Sequence, residues 1–454
     1  MGERNGDLEV AIVGGGLAGL SAAVALGRAG VRVGVYERST TLGGRAASRL
    51  VGDYVLELGP HALYASGAAR RGLQGLGIEV RGSLPRPRAA ATLGGRYHKL
   101  PMGAASLLST SLLGIADKLR LGRLLSELQG PSSAARLGCL PPELTATQWI
   151  AERLPPGPGR ILMESLVRLS NYSGHPEQSA TVALRQLRLA VTDGVLYLDG
   201  GWRSLVDALE HAAAASVRLH TGARIEGLRF LDDSAPAGWQ LDLADGRQVS
   251  ADQVLLACAP NVARRLLERS PHPITRAARA RLSAPRAASY AACLQVALDP
   301  STSGRFDFIL GLDRPDYLSV FSLVADVAPH GSEVIHVMRY LDQSEATADT
   351  RAELEALLDA ARPNWRRRVC EASYQPRLCV TNWVETVRHP RPDCELAPGL
   401  FAAGDWIAGH GVLADAAVGS ALEVSQRILG QRAEAAPRNA HLFATAGAVG
   451  ELWS

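Results

Sequence analysis

The chain has 454 residues, of which 20% are charged and 47% belong to the hydrophobic set. That length and balance suit two domains of ordinary size and exclude a disordered or collagen-like chain, because a large core can be buried. The formal net charge of +3 is too small to argue for nucleic acid or for a strongly acidic partner.

After the charged stretch 2–7 the first apolar run enters a glycine turn directly. That reads as no secretory signal and predicts a soluble, cytoplasmic protein. The run is Leu8–Val13, followed by Gly14-Gly15-Gly16-Leu17-Ala18-Gly19. Residues 20–28 are rich in alanine and leucine and predict a helix; Gly30 stops it, and residues 31–36 are β-rich. The order strand, turn, helix, strand is that of a βαβ unit. Gly14 permits the tight turn, Gly16 lets backbone approach a pyrophosphate, and Gly19 lets helix and strand pack closely. Free N–H groups and the positive end of the helix then face the phosphates. Glu37 closes the second strand, where an acidic side chain accepts from ribose hydroxyls and repels a 2′-phosphate. Arg38 follows it and is counted with the cofactor-binding residues. Leu42-Gly43-Gly44-Arg45 then sets flexible backbone and a fixed cation beside the pyrophosphate.

In 106–129 leucines recur at helical spacing, interrupted by Gly114 and Gly122. A proline- and glycine-rich break at 155–159 precedes a renewed helical pattern over 160–169. Residues 217–225, 239–243 and 253–257 read as strands, with Asp245-Gly246 as a hairpin turn. A strand is expected at 290–298 and an amphipathic helix at 351–361. The block 399–429 reads as strand, loop and helix. Its Gly404-Asp405 turn and the glycine loop from Gly409 feed a small-residue helix, a second place for negative charge at a helix start. The tail beyond Gly430 carries little pattern, and no fixed-period repeat is visible.

The six cysteines include no C-x-x-C pair, which argues against zinc, an iron–sulfur cluster and a disulfide scaffold; no metal site is expected. The longest uncharged apolar stretch, 102–116, is too short to span a bilayer. Only Lys99 and Lys118 among the 48 basic residues are lysines, which leaves few candidates for a catalytic lysine.

Seven blocks carry a resemblance: VAIVGGGLAGLSAA at 10–23, YERSTTLGGRAAS at 36–48, LELGPHALY at 56–64, YLDGGWRSLVDAL at 197–209, LHTGARIEGL at 219–228, ADQVLLACAP at 251–260, and LFAAGDW with ADAAVGSALE within 400–423. In that order they resemble the flavoprotein superfamily of phytoene desaturases, protoporphyrinogen oxidases and flavin amine oxidases. The resemblance implies FAD and an α/β fold: a discontinuous Rossmann-like FAD-binding domain at 1–80, 195–285 and 380–430, an inserted α+β substrate domain at 81–194 and 286–379, and a tail at 431–454. It implies Gly14, Gly16 and Gly19 on the pyrophosphate, Glu37 on the adenosine ribose, and Gly44 and Arg45 near the phosphate arm. Ile225 would give backbone contacts to adenine. Gly404 and Asp405 would reach the ribityl chain or phosphates. Leu413, Ala414 and Ala416 would lie under the pyrimidine edge of the flavin, and Gly59, Pro60 and His61 near its ring.

Departures from that pattern bear on substrate. Amine oxidases of the superfamily place a lysine near flavin N5, yet the strand expected at 291–299 has none. Leu413 stands where they carry an aromatic wall, and no cysteine for covalent flavin attachment lies near His410. Residues 97–102 and 107–128 resemble the segment bordering the substrate channel in protoporphyrinogen oxidases and desaturases. That segment reads either as the channel entrance with a peripheral membrane contact, or as an ordinary amphipathic helical pair over the core. His61 and His410 are candidate acid/base groups, with a structural histidine as the alternative at each. Leu413 is counted with them as a cavity wall. Trp202 and Trp406 are expected to pack against the cofactor domain, and Arg203 to be a surface residue or a ribityl-side ion partner rather than a catalyst.

The expected activity is FAD-dependent transfer of hydride from a bulky, apolar or aromatic small molecule to flavin N5. Carotenoid- or isoprenoid-like desaturation leads, and oxygen or a quinone takes the electrons. Porphyrinogen oxidation, amine oxidation in secondary metabolism and a reduced-flavin isomerase are the alternatives. A binding protein on the same fold, like the Rab GDP-dissociation inhibitors, would lack tight flavin binding, and the intact glycine turn argues against it.

Overall fold

The structure is a computed structural model and describes residues 8–231, 238–282, 287–301, 304–341 and 345–435. The tail expected at 431–454 lies outside the described residues beyond 435.

Leu8–Val13 forms an inner strand of an eight-stranded sheet, with Val10, Ala11 and Ile12 fully buried. A strand covered on both faces is apolar on both, which is why residues 10–13 show no alternation; half-buried Glu9, paired with Arg32 and Arg432, is the exception at its start. Val33–Tyr36 and Arg218–His220 extend the sheet in parallel on one side. On the other side lies Gln248–Leu256, the strand that joins two arrangements. Its first half pairs antiparallel with Gly238–Leu243, and its second half pairs in parallel with Leu400–Ala402. Residues near 400 are thereby brought beside the first strand. Helix Leu17–Arg28 packs against helices Leu413–Ala435 and Gly201–Ala214. Its Leu20 and Leu26 are fully buried, each contributing about 1.5–3 kcal/mol.

The second sheet has seven strands, in the order Val369–Val384, Ala287–Leu298, Glu333–Tyr340, Asp316–Val320, Phe308–Gly311, Ala89–Leu93 and Arg96–Lys99. Only the pair Phe308–Gly311 and Ala89–Leu93 is parallel among its described pairings. Helices Ile115–Gln129, Pro158–Asn171 and Ala180–Thr192 share one core with Ala291, Cys293, Leu310 and Met338. Thr350–Ala361 joins a separate core with Leu294, Val296, Ile335 and Val337. Val369–Val384 contains Pro376, which is tolerated because this strand lies at the sheet edge.

Residues 106–129 fold as two helices, Ala104–Ser109 and Ile115–Gln129. Gly114 caps the second, while Gly122 sits inside it. Leu121, Leu124 and Leu128 face the core, but Met102, Leu108, Ile115 and Leu119 are 61 to 80% exposed. Among the described residues no helix is long and apolar enough to cross a membrane.

Candidate active site

The two glycine segments near the N-terminus form one unit. Gly14 holds φ +112°, and a Cβ there would meet the Ala257 carbonyl oxygen at 2.6 Å. A Cβ on Gly19 would meet the Gly14 carbonyl oxygen at 2.0 Å, so only glycine lets the helix start this close to the turn. At Gly16 a Cβ would find just the Gly43 oxygen, at 3.8 Å. The space beside Gly16 is open, and no side chain caps the helix that begins there. Gly43 N–H donates to Gly15 O at 2.8 Å, laying Gly43-Gly44 alongside. An uncapped helix start with open space before it suits a phosphate.

Glu37 is buried, and its carboxylate is already oriented. Oε2 accepts from Gly15 N–H and Oε1 from Ser39 N–H, both at 2.8 Å. Each oxygen has room for a further donor. The Glu37 carbonyl accepts from Ala223 N–H at 2.8 Å, which brings Ile225 to the same wall.

Arg45, on the turn Gly44–Ala46, donates to Val380 O at 2.8 Å and to Asp405 at 2.9 and 2.6 Å. Asp405 is buried and also accepts from Thr381 Oγ1, Asn382 N–H and Asn382 Nδ2. Burial alone would raise its carboxyl, but Arg45 and Asn382 outweigh that and hold it below the ordinary value. Arg391, also buried, donates to Asp405 O and Gly411 O, tying the turn to the glycine loop.

These walls enclose a cavity of about 1110 Å³. Its polar part includes Gly14, Gly16, Glu37, Arg38, Gly44, Arg45, Ile225, Gly404 and Asp405. Its other part is formed by Leu58, Pro60, His61, Ala62, Tyr172, Met338 and Leu378, with Leu413 and Ala414 at the start of the last helix. Neither lysine lines the cavity. Lys99 and Lys118 instead hydrogen-bond to Ser109 Oγ and Leu108 O.

The chain matches the model of the flavin-containing amine oxidoreductases over residues 17–429. It belongs to that family. FAD is its cofactor, and it is an FAD-dependent oxidoreductase. Three solved structures show the same fold. An oxidoreductase from Methanosarcina mazei superposes with a TM-score of 0.68 at 18% identity, over 92% of this chain and 99% of that one. Wild-type putrescine oxidase bound to putrescine gives 0.68 at 15%, over 93% and 99%. A putative protoporphyrinogen oxidase from an Exiguobacterium species gives 0.64 at 18%, over 93% and 98%.

For a flavoprotein of this family, the structure brings most of the expected site residues to one cavity. Gly19 lies behind the turn, Gly59 behind the Leu58 and Pro60 lining, and Ala416 in the core. Leu413 lines the cavity in the left-handed region, at φ +56°. His410 does not line it. Its Nε2 pairs with Glu423 Oε2 at 2.7 Å on the last helix, which gives this histidine a structural partner. The stretch 107–128 does not line the cavity either, because its inward leucines pack into the second core. Trp202 lines the cavity beside His61, the ring centroids 5.1 Å apart.

Sequence reading missed Thr381, Asn382 and Arg391, which hold the Asp405 turn, and Tyr172, Met338 and Leu378, which wall the apolar part. Nothing local marks them: all but Arg391 reach the site from the second sheet and its helices, and Arg391 lies in the segment between Val369–Val384 and the first sheet. It also missed Asp415. That buried carboxylate accepts from Ala69 N–H at 2.8 Å and so caps helix Ala68–Gly75 from another helix. Burial pushes its carboxyl up to about 6, against the smaller opposing effects of the Ala69 and Gln186 hydrogen bonds.

Proposed function

We propose that the protein dehydrogenates an extended, apolar substrate, isoprenoid- or carotenoid-like, with hydride passing to the flavin. The observation that carries this is the apolar part of the cavity: Leu58, Pro60, Ala62, Met338, Leu378 and Leu413 face it, and no lysine or carboxylate stands among them. Such a wall lowers the free energy of a hydrocarbon and holds no fixed negative charge for an ammonium group.

The residues present fit FAD. The open backbone at Gly16 and the uncapped helix start receive its pyrophosphate, and Glu37 accepts from the adenosine ribose. Arg38 and Ile225 flank the adenosine. Gly44 and Arg45 stand by the phosphate arm, with Gly404 and Asp405 at the ribityl side. Gly59 and Pro60 bring backbone near the ring, and the start of helix Leu413–Ala435 serves its pyrimidine edge, where a positive helix end favours negative charge. When bound, the flavin supplies the hydride acceptor. The protein aligns the substrate carbon and excludes water around it.

A porphyrinogen is the second reading, because Tyr172 meets Tyr340 edge to face at 5.9 Å beside the cavity and offers an aromatic surface. Oxygen or a quinone would then take the electrons. We also assign the exposed Met102, Leu108, Ile115 and Leu119 to a peripheral contact with a membrane surface, from which an apolar substrate would come.

Titration of the oxidised holoprotein tests the reading. A C40 polyene in detergent should perturb the visible flavin spectrum at micromolar concentration, and putrescine should not at millimolar. Perturbation by putrescine alone would replace this reading with amine oxidation.

A further inference from the structure

The His61 ring lies at the cavity wall, and its Nδ1 faces two acceptors: Gly59 O at 2.9 Å and Glu57 Oε2 at 3.5 Å. A ring nitrogen between a carbonyl and a carboxylate carries the proton. Nε2 is then the bare nitrogen, and no described protein group hydrogen-bonds to it.

Glu57 is fixed without using Oε2. Its Oε1 accepts from Trp202 N–H at 2.7 Å, at the start of helix Gly201–Ala214. Gln295 clamps its backbone: the amide nitrogen donates to Glu57 O and the amide oxygen accepts from Glu57 N–H, both at 3.0 Å. The same oxygen accepts from His336 Nε2 at 2.6 Å. Oε2 is left buried with no hydrogen-bond donor. Such an oxygen raises the free energy of the site unless a positive charge forms beside it.

We propose that His61 is the proton acceptor of the cavity: Gly59 and Glu57 hold it as the Nδ1–H tautomer, Nε2 faces the substrate, and Glu57 is the positioning residue that stabilises the imidazolium. This rests on the dehydrogenation reading. Forming the double bond removes a hydride from one substrate atom and a proton from its neighbour. The hydride carries both electrons to the flavin, and the proton passes to Nε2. Two other titratable groups lie close. Burial keeps His336 neutral down to about 3, and burial holds the Tyr172 phenol far above its ordinary value. Neither competes for the proton near neutral pH.

Two measurements test this. In holoprotein labelled with 15N-histidine, the His61 signals are assigned by their loss in His61→Asn. Neutral His61 should show Nδ1 protonated and Nε2 bare; an Nε2–H tautomer overturns the proposal whatever the substrate is. The tautomer itself is read on the wild type; His61→Asn serves only for assignment, and its retained flavin and remaining histidine signals show that it is folded. Glu57→Gln keeps an oxygen for Trp202 N–H and removes the charge. With a C40 polyene as probe, its kcat should fall about tenfold at unchanged KM and flavin content, because the charge that stabilises the imidazolium in the reaction is gone. An unchanged kcat, or a loss confined to KM or flavin content, would remove Glu57 from the mechanism. An Nδ1–H tautomer in an enzyme that oxidises no polyene would strike the dehydrogenation reading and leave the geometry of His61 standing.

Discussion

Arg45 and Asp405 are 360 residues apart in the chain and meet in a two-point ion pair, at 2.6 and 2.9 Å. The pair joins the turn after the second glycine segment to the turn before the last helix, and both turns line the cavity. Asp405→Ala leaves Arg45, Thr381 and Asn382 with unused donors. It should lower stability by about 3 kcal/mol and reduce retained FAD. Because the Asp405 carboxyl sits below its ordinary value of 3.8, its contribution is complete above that pH and vanishes as pH falls through the folded value. Urea unfolding at pH 7 and at pH 3 should therefore show a smaller gap between wild type and Asp405→Asn at the lower pH. An equal gap at both would contradict the pairing.

Glu37 orients the glycine turn through Gly15 and keeps acceptor capacity for a ribose. Glu37→Ala should weaken FAD retention by about 1.5–3 kcal/mol, roughly 10- to 100-fold, with Glu37→Asp milder. Glu37→Gln should also lose flavin, since one carboxylate oxygen facing an N–H becomes an NH₂. Flavin occupancy after prolonged dialysis measures all three. Full occupancy in Glu37→Ala would remove Glu37 from the cofactor site.

Asp415 gives the opposite pH sign to Asp405. Its folded value of about 6 lies above the ordinary 3.8, so the native state binds the extra proton between those values. Its effect is most favourable below pH 4 and is lost as pH rises through 6. Asp415→Asn keeps an acceptor for Ala69 N–H, and once the Gln186 amide turns over, its NH₂ can donate to Gln186 Oε1, which otherwise has no partner while Nε2 faces Asp415. The variant should be about 1–3 kcal/mol more stable than wild type at pH 7 and should lose that advantage at pH 4. A constant difference across the range would show that Asp415 does not titrate there.

The exposed leucines of the hairpin between Ala104–Ser109 and Ile115–Gln129 give a separate prediction. Lys99 and Lys118 flank them, so anionic bilayers should be favoured over neutral ones. Leu108→Ser with Ile115→Ser and Leu119→Ser should abolish sedimentation with vesicles rich in phosphatidylglycerol without changing flavin content. Equal sedimentation of the triple variant would leave this face without a membrane role.

What was legible in the sequence follows from distance along the chain. The glycine turn, Glu37 and the Gly404-Asp405 block are local motifs, because backbone geometry near a phosphate restricts residue type strongly. Their residues could be named one by one, and most of them line one cavity. The apolar wall is different. Met338 and Leu378 are ordinary strand residues whose meaning comes from a sheet register, Cys293 opposite Met338 and Ala291 opposite Leu378, that no short window contains. Leucine spacing in 107–128 showed helices correctly, yet which face met the core and which met solvent depended on the packing of Pro158–Asn171 and Ala180–Thr192. His410 and His61 looked alike in sequence. Their neighbours separate them: Glu423 occupies Nε2 of one, while the other turns Nδ1 to Gly59.

The central claim, an FAD enzyme with an apolar substrate cavity, is tested most directly by anaerobic stopped-flow reduction of the bound flavin. Wild-type holoprotein should be bleached by a C40 polyene or another extended apolar substrate within seconds, and should stay yellow with benzylamine or putrescine. Rapid bleaching by either amine, with none by the apolar compounds, would contradict the account.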